Sequence, residues 1–255
     1  MRAIWSVARI SLQESLARNV FGVQFFVILS LGLLQGFTSG IPEDTERLKM
    51  FLDGGLTLAM LFSLFFSFAI TWPQLEADRV HGRLLSLLSS YLSRGEYVWG
   101  KFFGCLLAVW LNLIVMFLIL GGFVLLQGET PPSWLFLTGL AQLLEAGLLV
   151  AILMFCSIGM TRFMGVMSAI FIFVLGHFTY YVRYYAKILE EKWLGNMLEQ
   201  LWLFLPNFEY FGLKNAYLAS KPVPELYFPF LLAYTVGWIL IFQVLSVLLF
   251  ERKEY

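Results

Sequence analysis

Charge is what this sequence has least of. Only 13% of its 255 residues are Asp, Glu, Lys or Arg, about half the ~25% of a soluble domain. With 60% apolar residues, that scarcity excludes a water-soluble fold. Acidic and basic residues cancel to a net charge of zero, so no field is present to attract a polyanion, and nucleic acid is excluded as a partner. Histidine occurs twice, and no His-Glu-x-x-His string exists to build a zinc protease. The one adjacent glutamate pair, Glu190-Glu191, is not followed by the arginine of glutamyl proteases; Gly195 stands there. The two cysteines, Cys105 and Cys156, fall near helix ends expected to face the cytoplasm, where a disulfide is not expected. Internal repeats and low-complexity tracts are missing too.

What the chain does have is long apolar runs. A lipid-spanning helix needs about 20 such residues, and six runs come close: 20–37, 55–75, 102–126, 134–157, 164–183 and 227–250. Runs of this length suit helices, which satisfy their own backbone polar groups in lipid, far better than barrel strands. Before them, residues 1–19 read as an amphipathic entry helix, with Ile4, Ala8, Leu12 and Leu16 recurring every fourth position. Six spans place both termini on one side. That side holds Arg2, Arg9, Arg18, Arg79, Arg83, Arg94, Lys101, Arg162, Arg252 and Lys253, so the termini are expected in the cytoplasm. Segment 184–226 reads as external, with two short helices on or dipping into that face.

The polar stretch 76–101 carries the most information. Its first half places Leu84, Leu85, Leu88 and Leu92 on one face of a short helix, which cannot bury that face within its own loop. It needs lipid or another protein. The block from Glu76 to Gly104, with Ser93-Arg94-Gly95-Glu96-Tyr97 and Gly100-Lys101-Phe102, resembles the permease subunits of type-2 ABC exporters. Gly176-His177 and Pro206-Asn207 are similar as well. The resemblance implies an all-α polytopic membrane protein with six transmembrane helices, an N-terminal interfacial helix and a cytoplasmic coupling helix. In that family the loop seats in a cleft of a separate ATPase. Carried over, Leu84, Leu85 and Leu88 fill the cleft, and Glu76, Arg79, Arg83, Arg94 and Glu96 form its charged rim. An apolar anchor ringed by charge gives a small interface affinity and register.

Gly95-Glu-Tyr-Val-Trp-Gly-Lys-Phe102 matches most of a phosphate-loop string. Phe102 stands where Ser or Thr must bind magnesium, and the string leads into a span rather than following a strand. The chain is therefore expected to be no enzyme and to hold no cofactor, with ATP and magnesium bound by the partner ATPase.

Other residues mark a transport path. Glu145 lies mid-span, where a carboxyl costs roughly 2.5–3.5 kcal/mol to insert and must face protein or water; His177, Gln142 and Asn112 are its candidate neighbours. Phe62, Phe65 and Phe66 in the second span and Phe173 in the fifth are candidates for an aromatic gate. Cys156, Met160, Met164 and Met167 offer soft ligands of the Cu(I) type or ordinary packing, and no metal site is expected. Gly32-x-x-x-Gly36 and Gly100-x-x-x-Gly104 permit close helix approach. The expected whole is one transmembrane domain in the inner or cytoplasmic membrane, a homo- or heterodimer coupled to an ATPase subunit and exporting its cargo. The alternatives are an ATP-independent secondary transporter or channel using Glu145 and His177 as a proton relay, or a membrane anchor for assembly of a neighbouring enzyme.

Overall fold

The computed structural model describes residues 2–17, 20–80, 92–188, 192–218 and 223–252. Among these the chain forms helices α1 (Arg2–Ala17), α2 (Val20–Thr38), α3 (Asp44–Val80), α4 (Arg94–Leu126), α5 (Ser133–Gly159), α6 (Arg162–His177), α7 (Thr179–Ile188), α8 (Lys192–Phe204), α9 (Leu213–Leu218) and α10 (Tyr227–Arg252). A 3₁₀ turn, Phe208–Phe211, precedes α9. No strand occurs among the described residues.

Helix α5 is the axis of the molecule. It packs against α3, α4, α6 and α10, and the most apolar part of it is 83% buried. Its small residues Gly139, Ala141, Ala146, Gly147 and Ala151 let neighbours approach closely: Leu106, Ile239 and Trp110 all crowd Gly147. The main core surrounds α4 and α5, and a second cluster, including Val27, Leu31, Phe51, Leu56 and Met116, joins α2, α3 and α4.

Among the described residues, four helices are long and apolar enough to cross a membrane: Asp44–Leu75, Arg94–Leu126, Ser133–Gly159 and Tyr227–Arg252. A bent pair adds a fifth, and α2 supplies a shorter apolar helix, Val23–Thr38. The expected fifth span, 164–183, is not one helix. It breaks after His177, and the two pieces meet at 67°. At 16 residues, α6 is roughly 24 Å long, short of the ~30 Å hydrocarbon layer. The amphipathic α7 then turns away and exposes Tyr180, Tyr181, Tyr184 and Tyr185, ring types that favour a membrane–water boundary.

The polar stretch is also shorter than its composition indicates. Helix α3 continues to Val80, and α4 starts at Arg94, capped by Ser93. Residues 94–101, expected in the loop, are the first two turns of a span. Residues 81–91 lie outside the described residues.

The entry helix does not simply lie on the surface. Its Val7, Ala8, Ser11 and Ser15 are buried along α4, whose Gly100 and Gly104 face it: a Cβ at Gly104 would lie 2.4 Å from the Ser11 Cβ and 2.8 Å from the Ala8 carbonyl. Trp5, Ile10 and Leu16 stay exposed. The packed face is thus shifted from the expected apolar stripe, because glycines on α4 admit a small-residue face and would leave gaps beneath a leucine face.

Candidate functional site

Two regions collect the residues singled out above. The first is at the end of the bundle that holds both termini. Ser93 and Glu96 form a capping box at the start of α4, each side chain bonding the other residue's backbone N–H. Arg94 Nη1 donates to the carbonyls of Phe250 (3.1 Å) and Glu251 (2.7 Å), closing the C-terminus of α10. Tyr97 stacks on Phe250, ring centroids 5.5 Å apart. One turn further on, buried Lys101 faces Glu14 of α1 at 3.9 Å. Deeper still, Gln74 of α3 donates to the Ser11 carbonyl and to Ser15 Oγ, and Cys105 Sγ meets Gln74 Oε1 at 3.7 Å. Four helices are thereby pinned where residue 92 leaves the polar stretch.

Of the rim and anchor residues, Arg83, Leu84, Leu85 and Leu88 lie outside the described residues. Glu76 and Arg79 lie in the last turns of α3, with their side chains likewise outside. Arg94 and Glu96 have defined bonds within the chain. Glu14, Gln74 and Phe250 were not singled out by sequence reasoning; they lie far along the chain from the partners they hold, and nothing local marks them.

The second region is a chamber of about 440 Å³ toward the opposite end. Thr138, Gln142 and Glu145 fall at i, i+4 and i+7 on α5 and so share one face; all three line the chamber. His177, the last residue of α6, places Nε2 3.3 Å from Glu145 Oε1. Its Nδ1 lies 3.0 Å from the Phe173 carbonyl. A carbonyl only accepts, so Nδ1 carries a proton. Nε2 is then the ring atom that faces the acid. The imidazole is fixed by rings on both sides: Phe208 stacks at 5.3 Å and 10°, and Phe173 tilts at 4.4 Å.

This stack depends on Gly176. A Cβ there would lie 2.4 Å from the Phe208 ring and 2.6 Å from the Pro206 carbonyl. The Gly176-His177 and Pro206-Asn207 pairs, far apart in sequence, meet at this one crossing. Asn207 caps the 3₁₀ turn by accepting from the Glu209 N–H at 2.9 Å. Glu209 in turn accepts from the Tyr180 N–H at the start of α7, so it holds the break in place. At the mouth, Lys214 Nζ donates to Asp53 (2.9 Å) and Thr57 (2.6 Å) of α3.

The other path candidates divide. Phe173 and Phe66 are buried, whereas Phe65 is 52% exposed. Phe62 packs against both core clusters. Phe65 and Phe66 instead line a small separate cavity with Gln74 and Asn112. Asn112 bonds to another helix: its side-chain oxygen accepts from Gln24 at 3.2 Å. Cys156 is buried, while Met160, Met164 and Met167 are exposed. Both cysteines are free thiols.

A family model described as ABC-2 family transporter protein matches residues 10–255. No curated protein matches the chain.

Proposed function

We infer the role of this chain from its membership: it belongs to the ABC-2 family of transporter proteins and is a multi-pass permease of ABC transport. The finer reading is an exporter subunit that pairs with a second permease, identical or not, and with a separate ATPase that binds ATP and magnesium. In this reading α2, α3, α4, α5, the broken α6–α7 pair and α10 make six passes. Both termini are then cytoplasmic, in the inner or cytoplasmic membrane.

The observation that carries the mechanical reading is the clamp at the terminal end. The stretch proposed to meet the ATPase is continuous with α3 on one side, and on the other with an α4 locked to α10 by Arg94 and Tyr97 and to α1 by the Lys101–Glu14 contact. A push on that stretch moves four helices together rather than unwinding one. ATPase closure would drive two such stretches toward each other and tilt the permease halves from inward- to outward-facing.

Leu85→Asp, or charge reversal at Glu76 or Arg83, is expected to abolish stimulation of ATP hydrolysis by the permease and to weaken ATPase co-purification, with normal insertion in the membrane. Unchanged ATPase capture by all three variants would overturn the reading. The Glu145–His177 contact favours one rival, a proton-driven carrier. It is separated by inhibitors: transport that stops on ATP depletion but survives collapse of the proton gradient supports the exporter.

A further inference from the structure

We propose that the α5–α6 chamber is a binding site for an organic ammonium group, one bearing N–H donors next to an apolar body. Several polar groups of its lining are already engaged. Lys214, which lines the chamber, gives two of its three protons to Asp53 and Thr57. His177 gives one proton to Phe173 and shares one with Glu145. Gln142 gives its amide to the Leu56 carbonyl at 3.2 Å.

Apart from the exposed Asn215 amide and the third Lys214 proton, what is left over accepts. Gln142 is 6% exposed, and its Oε1 has no hydrogen-bond partner; such an oxygen is destabilising until a donor reaches it. The Glu145 carboxylate has only Oε1 engaged by His177, and Glu209 only Oε1 engaged by Tyr180. Charge points the same way. With Lys214 held by Asp53, the remaining ionisable groups of the lining are the carboxyls of Glu145 and Glu209 and the His177 imidazole. Phe208 and Phe211 supply an aromatic wall, the surface a cation with an apolar body prefers. A volume of about 440 Å³ suits a small molecule.

This site rests on the transporter reading only for its purpose, not for its chemistry. The test is therefore binding, without nucleotide or partner, to the full chain in phosphatidylcholine nanodiscs. Labelled 2-phenylethylammonium is the probe, phenylacetate its anionic counterpart, and uptake by empty discs is subtracted. Saturable binding of the ammonium is expected, at least tenfold tighter than the carboxylate. Gln142→Leu and Glu209→Gln are each expected to weaken it fivefold or more, while Glu129→Gln, outside the chamber, leaves it unchanged. Glu209 is only half-buried, so its variant keeps the test open should Gln142→Leu fail to fold. Non-saturable uptake, equal affinity for phenylacetate, or full binding by both chamber variants overturns the proposal. Binding that persists in a Leu85→Asp chain without ATPase capture separates the two readings: the chamber can stand where the coupling fails, and the reverse.

Discussion

Glu145 shows how a single acid is accommodated in an apolar helix. Its cost at mid-span is met by a partner on the next helix, and that partner is itself fixed by a backbone carbonyl and two flanking rings. The strength of the arrangement is modest, since interhelical polar contacts in membranes average ~0.6 and reach ~1.7 kcal/mol. A double-mutant cycle of Glu145→Gln and His177→Phe, read by unfolding in detergent, is expected to return a coupling in that range; phenylalanine preserves the ring stack on Phe208. A coupling of zero would mean that the 3.3 Å contact carries nothing. The acid and its histidine were both legible as lone polar groups in apolar runs. Glu209 and the Asp53–Lys214 pair were not, because nothing in a charged loop distinguishes a residue that turns inward from one that faces water.

At the scale of elements, two glycine pairs with the same spacing have opposite environments. Gly104 is filled by the backbone of α1, whereas a Cβ at Gly32 or Gly36 meets nothing within 4 Å. Gly104→Val is expected to force α1 off α4 and cost about 1–3 kcal/mol, seen as an earlier detergent-unfolding midpoint. Gly32→Val is expected to stay within about 0.5 kcal/mol in the single chain. Equal shifts for both would contradict the packing. Gly176 is tighter still, and Gly176→Val is expected to part α6 from the 3₁₀ turn, read as new protease cleavage between α8 and α9. Spacing alone revealed the motifs but not their use. The break at His177 was hidden for a related reason: residues 164–183 are mostly aromatic and apolar on both sides of it, while the start of α7 is held by Glu209, about thirty residues further on.

On the scale of the whole molecule, apolar runs made the class, the helical architecture and most passes readable, since a chain in lipid has few other ways to satisfy its backbone. The clamp joining α1, α4 and α10 was unreadable, because it depends on residues more than 150 positions apart, such as Arg94 and Glu251. If the clamp transmits force, Arg94→Ala is expected to retain ATPase capture yet lower transport per ATP hydrolysed severalfold, measured on reconstituted complexes. Retained transport stoichiometry would show that the bond only finishes a helix end.

Helix α3 is a single element of 37 residues, and its consequence is leverage. Asp53 grips Lys214 near one extremity, and Gln74 holds α1 toward the other. A beam of that size is about 55 Å long, and swivelling it about its midpoint by ~5° carries each tip ~2.4 Å in opposing senses. Small rocking at the nucleotide side would therefore reappear, inverted, at the lip of the chamber.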